Sequence, residues 1–355
     1  MKEDLYRRLQ EKLDGYAVGF PATKSGVEIK ILKKLFSEED AEIFLALSPA
    51  VEKPEAIAAR LNLPENRLAE KLEDMASRGL LFRLKKDDQL KYGATAFIHG
   101  IYEFQVMRMD PELVELIRQY FKEGLDKSLV KTKGTFLRTI PIAKSIPPEH
   151  HIASFDDAAE ILKRAGTIVV TDCVCRKSMD ISGSSCGAPL EVCLMFGSMG
   201  QYYLDNKMGR EIGVEEAIAI VARAQEAGLV TQPATSQNPT GICNCCGDCC
   251  GVLVSIKHDP CPADLVYSNN YAEVEADDCV GCGECLSCCH MVAIKLAEDE
   301  TAVILEKRCI GCGVCVPRCP SGAIRLKAKP ADKRRELPKN SFEQMMRMME
   351  ARGQS

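Results

Sequence analysis

Cysteines recur at the same spacing in two copies towards the C-terminal end of the chain. The first copy contributes Cys279, Cys282, Cys285 and Cys289, and the second contributes Cys309, Cys312, Cys315 and Cys319. Glycines match as well, with Gly281 and Gly283 corresponding to Gly311 and Gly313. Each copy reads C-x2-C-x2-C-x3-C, in which three closely spaced thiolates can bind one face of a cubane [4Fe–4S] cluster. Two zinc knuckles would instead favour paired C-x2-C units, so the pattern predicts iron–sulfur chemistry.

The duplicated segment resembles a bacterial-type 2[4Fe–4S] ferredoxin domain. In that family each cluster takes its fourth ligand from the other repeat. The resemblance therefore implies one cluster on Cys279, Cys282, Cys285 and Cys319, and a second on Cys309, Cys312, Cys315 and Cys289. Cys288 remains as a spare thiol.

One residue of the duplicated segment departs from the family pattern. Pro320 follows the last cysteine of the second repeat, as is usual, but His290 takes that place in the first. Proline has no amide donor, whereas histidine adds a donor next to one cluster. A functional donor and a neutral surface substitution both remain open.

A second cysteine system lies upstream of the repeats, where five cysteines fall within the eight residues 243–250. Thiolates crowded in this way repel one another, so a bound cation should neutralise them. We predict nine metal-binding residues: Cys173, Cys175, Cys186, Cys193, Cys243, Cys245, Cys246, Cys249 and Cys250. One or two further iron–sulfur clusters are the leading interpretation, with zinc or a reactive cysteine as alternatives. Individual ligands stay open, but we expect the two cysteine groups to meet in space.

Cationic side chains next to the first upstream cysteines could tune such a cluster. Arg176 and Lys177 follow Cys175 directly and could donate hydrogen bonds to cluster sulfides, which would raise the reduction potential. Ordinary surface charges are the alternative.

Composition narrows the functional class. The chain has 355 residues, 19 cysteines and a formal net charge of −5. Met1 to Asp14 is charged throughout, unlike a signal peptide, and no apolar stretch is long enough to span a membrane. We therefore expect a cytoplasmic protein of an anaerobic setting whose cysteines bind metal instead of forming disulfides. Dinucleotide and phosphate-loop motifs are missing, and His150-His151 is expected to be solvated.

The predicted fold class is α+β and multidomain. Helices at Glu3–Asp14, from Ser37, at Pro54–Leu61 and at Glu65–Arg78 precede strand-like runs at Leu80–Leu84 and Leu90–Ala94. This order is similar to a winged helix-turn-helix domain. The recognition helix of such a domain should be cationic, but Glu65–Arg78 is net acidic, so DNA is an unlikely partner.

Downstream, the sequence predicts further elements and three more units. A helix capped by Ser154 leads to a strand at Thr167–Thr171 that delivers Cys173, and a helix spans Glu215–Ala227 before a loop at Thr231–Gly241. In the tail, Ser341 and Gln344 resemble a capping box for a methionine-rich helix. The predicted units are a winged-helix-like domain (1–150), a cysteine-rich α/β domain (151–270), a ferredoxin-like dicluster domain (271–328), and a linker with the methionine-rich helix (329–355).

These patterns favour an electron-transfer protein or subunit that passes low-potential electrons to a partner oxidoreductase. Two alternatives are an iron–sulfur oxidoreductase with its active site at the upstream cysteines, and a redox-sensing winged-helix regulator. The acidic Glu65–Arg78 helix counts against the regulator.

Overall fold

The computed structural model describes residues 2–87, 89–146 and 153–353. Helices and strands are mixed along the chain, as the predicted α+β class requires. The residues 147–152, which include His150-His151 and the predicted boundary at residue 150, lie outside the described part, so both predictions stay untested.

The N-terminal part consists of five helices and a hairpin. The elements are α1 (Lys2–Asp14), α2 (Val27–Leu35), α3 (Glu38–Ala46), α4 (Pro54–Leu61), α5 (Glu65–Ser77), β1 (Phe82–Lys86) and β2 (Gln89–Gly93). Ser37 caps α3 in a capping box with Asp40, as its position predicts. Helix α2 was not predicted from the sequence, because it starts after Gly26 without a capping side chain. The winged-helix resemblance of this part stays a prediction.

A buried segment connects the N-terminal part to the centre. It follows α6 (Pro111–Tyr120) and α7 (Asp126–Lys131). From Gly134 to Ile146 the backbone is largely without helix or strand. However, Leu137, Arg138 and Ile140 are buried. Arg138 and Ile140 each hydrogen-bond to the backbone of residues 231–233, so the segment packs along the central sheet.

The central part is built around a five-stranded antiparallel sheet. Its elements in chain order are α8 (Ala158–Arg164), β3 (Ile168–Asp172), α9 (Val174–Ile181), β4 (Glu191–Phe196), α10 (Gly197–Asp205), β5 (Arg210–Ile212), α11 (Val214–Glu226), β6 (Val230–Pro233), β7 (Gly241–Cys245) and α12 (Gly251–Lys257). The strand order in the sheet is β5-β3-β4-β7-β6. Strands β3, β4 and β7 are neighbours, and each carries or leads directly to upstream cysteines.

Two local predictions in this part were wrong. Asp157, and not Ser154, caps α8, because the Asp157 carboxylate accepts the backbone N–H groups of Ala159 and Glu160. The predicted loop from Thr231 begins inside β6, where polar Thr231 and Gln232 are fully buried beside β7. Strand pairing and burial outweigh the polar composition there.

The C-terminal part contains two short antiparallel pairs and a last helix. The elements are β8 (Asn270–Val274), α13 (Glu284–Ser287), β9 (Ile294–Leu296), β10 (Ala302–Ile304), β11 (Ile324–Ala328) and α14 (Ser341–Ala351). Strand β8 pairs with β11, and β9 pairs with β10. The methionine-rich helix α14 forms as predicted, but Asn340 caps it in place of Ser341, and Met348 is buried against the chain itself.

The N-terminal part is fixed to the central sheet through Tyr202 of α10. This side chain is almost fully buried, and its hydroxyl donates to the backbone carbonyls of Ala76 and Leu81 at 2.8 and 2.9 Å. Its ring packs against Phe82 and Phe104 with centroids 5.2 and 4.4 Å apart. The hairpin of β1 and β2 is therefore packed against the rest of the chain.

Asp40 forms buried ion pairs that link helix α3 to helix α5 and to Arg78 at its end. It is 1 % exposed and accepts from Arg78 and Lys71 at 2.8 and 2.9 Å. Burial alone would raise the pKa of Asp40, but the hydrogen bonds from Arg78 and Lys71 hold it well below its ordinary value of 3.8.

We expect Asp40→Asn to lower the local unfolding free energy of α3 by about 2–4 kcal/mol at pH 7, since it breaks a buried ion pair and weakens the capping box. Because the folded-state pKa is depressed, this stabilisation is fully present well above pH 3.8 and is lost progressively as the pH falls from that value towards the lower folded-state pKa, so it is already reduced near pH 3. Amide hydrogen exchange of α3 at pH 7 and near pH 3 measures both effects. Exposed Glu42, on the same helix, supplies the control Glu42→Gln. An equal loss at both pH values would contradict the electrostatic assignment.

Candidate metal centres

The two C-terminal repeats share one backbone conformation. Gly281, Gly283, Gly311 and Gly313 all adopt left-handed geometry, with φ between 66° and 74°. At Gly311 the neighbouring chain also approaches closely, since an added Cβ would lie 2.1 Å from the carbonyl oxygen of Asn270. Glycine is the residue that tolerates both conditions, which explains why it recurs between the cysteines.

Backbone amides point at the cysteine sulfurs of both repeats. Ala272 donates to Cys309 Sγ at 3.4 Å, Ala293 to Cys289 Sγ at 3.2 Å, and Ala302 to Cys279 Sγ at 3.4 Å. N–H···S hydrogen bonds of this kind stabilise thiolate ligands and influence cluster potential.

The repeats also bring cysteines together across the duplication. The thiol of Cys285 lies within electrostatic reach of Cys319 as well as Cys282 and Cys279. The thiols of Cys309, Cys312 and Cys315 are near Cys289. This arrangement is the one that the ligand exchange requires, and the ligand assignment itself stays a prediction.

The chemistry of these thiols fits a cationic cluster. Burial raises the pKa of Cys312 and Cys315, so as free side chains they would stay protonated at neutral pH. Bound metal ions can displace those protons. Cys288 differs, because its Sγ donates to the carbonyl of Cys285 at 3.3 Å and burial raises its pKa to about 11. It has the properties of a neutral thiol next to the ligands.

A family model for a 4Fe-4S dicluster domain matches residues 272–326. This segment is a 4Fe-4S dicluster domain. No curated protein and no solved structure matched the chain in the corresponding comparisons. The match begins at residue 272. The ten cysteines before that residue are therefore interpreted from their geometry. In the described residues, no helix has the length and apolarity needed to cross a membrane.

The upstream cysteines meet in space, but they divide into two groups. The smaller is the three-thiol site, formed by Cys186, Cys246 and Cys249, whose sulfurs lie within 4.8 Å of one another. Cys246 Sγ and Cys186 Sγ are 3.7 Å apart. Three converging thiols can hold part of an iron–sulfur cluster or a zinc ion with one further ligand.

The larger group is the six-thiol ring, which surrounds a cavity of about 60 Å³ between the central sheet and the segment 98–137. Cys173 and Cys175 enter it from the start of α9, Cys193 from β4, Cys250 from the start of α12, and the i, i+2 pair Cys243 and Cys245 from β7. Cys261, the tenth upstream cysteine, belongs to neither group and is half-buried. In the described chain every cysteine is a free thiol.

Neighbouring thiols of the six-thiol ring perturb one another. Hydrogen bonds with Cys175 and Cys193 lower the pKa of Cys173, and hydrogen bonds with Cys193 and Cys245 lower the pKa of Cys243 to about 6. The pKa values of their partners rise for the same reason. The protein alone therefore stabilises some thiolates in the ring but not all of them.

Arg176 lies between the two upstream groups and is 1 % exposed. Burial alone would lower the pKa of its guanidinium, but the charges of Cys173 and Cys246 raise it. It donates to the carbonyls of Pro189 and Asn244, the latter at 3.1 Å, while its Nε has no hydrogen-bond partner among the described residues. The predicted role of Arg176 as a donor to cluster sulfide is compatible with this free N–H.

Lys177 is arranged differently. Its Nζ forms an ion pair with Asp172 at 3.1 Å. Asp172 contributes to the cavity wall, so Lys177 compensates an acidic neighbour of the ring.

Sequence reasoning missed two residues of the cavity wall, His99 and Glu103. Burial lowers the pKa of His99 to about 4, and the ring forms no hydrogen bond within the described chain. Burial raises the pKa of Glu103 to about 7, although Glu103 accepts the Gly100 N–H at 2.9 Å. Their sequence neighbours are apolar and carry no metal motif, so only the positive φ of His99 marks the position, and that is a structural observation.

His290 connects the dicluster domain to the upstream cysteines. Its Nδ1 accepts the backbone N–H of Gly247 at 3.1 Å, and its Nε2 is 2.7 Å from the carbonyl oxygen of Gly228. Since Nδ1 is the acceptor, Nε2 carries the proton and donates to Gly228. An added Cβ at Gly247 would lie 2.9 Å from His290 Cβ, so the contact requires glycine.

The exchange of ligands between repeats predicts which cubane each substitution removes. We expect Cys319→Ser to disable the cluster of Cys279, Cys282 and Cys285, and Cys289→Ser to disable the other, because each removes a fourth ligand. Each variant should lose about four irons and the spin coupling between reduced clusters, measured by iron analysis and electron paramagnetic resonance (EPR). Cys288→Ser is the matched control and should keep both. Loss of iron in Cys288→Ser, with retention in Cys289→Ser, would reverse the assignment of these neighbours.

Proposed function

We propose that the chain is an iron–sulfur electron-transfer protein or subunit in which low-potential electrons move between the dicluster domain and the upstream cysteine centres, and from there to or from a redox partner. Bound [4Fe–4S] clusters supply one-electron transfer. The dicluster domain supports the iron–sulfur part of this proposal, and the upstream cysteines support an extension of the relay.

The contact of His290 with Gly247 is the observation that carries the proposal. His290 is bonded directly to Cys289, a proposed ligand of the second cubane. Gly247 lies between Cys246 and Cys249 of the three-thiol site. One side chain and one hydrogen bond therefore join a ligand of the dicluster domain to the loop of the upstream site.

Further contacts keep this junction in a fixed position. Ile142, from the buried segment along the central sheet, donates its N–H to the Cys312 carbonyl at 3.0 Å. Arg318 donates to the carbonyl of Glu226 at 2.7 Å. These bonds hold the dicluster domain against the sheet. The fold therefore sets the distance between the dicluster domain and the upstream cysteine groups.

The charges of helix α5 support electron transfer over the regulator alternative. Its cations Arg67 and Lys71, with Arg78 at its end, each pair with Glu39 or Asp40 at 2.8–2.9 Å. Binding a phosphate backbone would need these cations to be available. The hairpin of β1 and β2, moreover, packs on Tyr202.

An oxidoreductase with its active site at the upstream cysteines is the second candidate. His99 and Glu103 favour it, because they place an unpartnered imidazole and a carboxyl of pKa about 7 in the wall of a thiol-lined cavity. Groups of this type move protons in enzymes that reduce substrates.

The test is the rate at which electrons cross the His290 junction. Anaerobic full-length protein is given one reducing equivalent by flash photoreduction and is frozen at intervals for EPR. In the parent, the dicluster signal should appear and then decay as an upstream signal grows. His290→Ala should slow that transfer about tenfold or more while leaving the iron content unchanged.

Two variants act as controls for this experiment. Pro320→Ala changes the equivalent position of the other repeat and should transfer at the parental rate. His290→Gln can accept from Gly247 and donate to Gly228, so it should recover part of the rate. An unchanged rate in His290→Ala would show that electron transfer does not depend on the contact of His290 with Gly247. A parent in which no upstream signal ever follows dicluster reduction would overturn the electron-transfer proposal.

A further inference from the structure

The six-thiol ring contains more cysteines than a cubane cluster can use. Cys173, Cys175, Cys193, Cys243, Cys245 and Cys250 all line the same cavity. A [4Fe–4S] cluster takes four thiolates, and a structural zinc site also takes four ligands. Two thiols would be left over in either case, although all six lie in the same wall.

No member of the ring stands apart from the others. Interacting neighbours follow the order Cys175, Cys173, Cys193, Cys243, Cys245 and Cys250, and the two ends of this order line the same cavity. Each thiol therefore interacts with at least one other. No break in this order separates four ligands from two bystanders.

The described residues of the cavity wall supply no lysine or arginine charge to balance six thiolates. No lysine or arginine belongs to the described residues of this wall, whereas Asp172 and Glu103 do. Arg176 approaches Cys173 and Cys193 from outside the wall and can offset only one charge. Ligation by all six as thiolates would therefore require the bound group to supply the remaining positive charge, because several buried charges without a counter-ion are not stable in a protein interior.

An unpartnered buried nitrogen near the ring also points to a missing ligand. The buried Nε of Arg176 has no hydrogen-bond partner among the described residues, and the partly buried His99 imidazole lies in the same cavity wall. An inorganic sulfide would accept the Arg176 N–H, and an iron ion could accept the imidazole.

We infer that the six-thiol ring is a cofactor site of its own, separate from the three-thiol site, and that it holds an iron–sulfur cluster larger than a cubane, bound by more than four of the six thiolates. His99 is placed to supply a nitrogen donor to the same cluster. This assignment rests on the proposed function only in so far as the upstream cysteines bind iron and sulfide. It makes no use of electron transfer across His290.

The first experiment counts iron in a protein whose three-thiol site has been removed. Full-length Cys246→Ser/Cys249→Ser protein, prepared without oxygen, is analysed for iron, acid-labile sulfide and zinc. The dicluster domain contributes about eight irons, so a cubane in the ring would give about twelve, and a larger cluster should give more than twelve. A value near twelve overturns the inference, and so does a value near eight, with or without zinc.

The second experiment asks how many thiols the cluster uses. Each of the six ring cysteines is changed to serine singly in the full-length parent, with Cys261→Ser as the matched upstream control. At least five of the six variants should lose the same Mössbauer component, while Cys261→Ser keeps it. Retention of the coupled dicluster EPR signal shows that a variant has folded. If two or more folded ring variants keep the component, the cluster is bound by four thiolates or fewer, and the inference is wrong.

The two proposals can fail independently. Iron counts and ligand counts decide the nature of the ring even if no electron crosses His290. Conversely, slow transfer in His290→Ala would stand even if the ring held only a cubane.

Discussion

Closely packed thiolates repel one another, and this repulsion limits how the cysteine-rich part of the chain can fold. Nineteen cysteines are free, and all but a few converge in four places: two in the dicluster domain, the three-thiol site and the six-thiol ring. Buried thiols side by side cannot all ionise without cationic partners. The fold supplies backbone amides and Arg176, and bound metal must supply the remainder. Strands β3, β4 and β7 bring the upstream sulfurs together. The glycine-containing turns do the same in the dicluster domain.

The dicluster domain could be predicted almost completely from the sequence, because its chemistry is local. The three cysteines of each repeat lie within seven residues, and glycine at positions such as Gly311 is required by backbone geometry. The division of the upstream cysteines could not be predicted. Cys245 and Cys246 are adjacent in sequence but lie in different groups of thiols, because β7 ends at Cys245 and the chain leaves the sheet at Cys246. Spacing along the chain cannot show that change when the end of the strand is not recognised.

Several helices of the N-terminal part were also predictable, since caps and apolar periodicity are local signals. The capping box of Ser37 and Asp40 is an example. The contributions of His99, Glu103 and Tyr202 were not, because each acts through partners far away in the sequence. His99 and Glu103 belong to one short, irregular stretch and reach the cavity only because residues 98–137 fold over the central sheet. Likewise, the segment from Gly134 reads as a linker but is buried, because its backbone bonds to residues 231–233 and to Cys312.

His290 and Pro320 occupy equivalent places in a duplicated domain, and only His290 reaches the upstream loop. A duplicated domain with identical halves would have two interchangeable faces, and a partner could approach either of them with the same result. Here His290 contacts the loop at Gly247, while Pro320 is exposed at the surface. The two repeats are therefore not equivalent in the folded chain, although their cysteine patterns are the same. A partner that approaches the dicluster domain meets a different surface at each repeat.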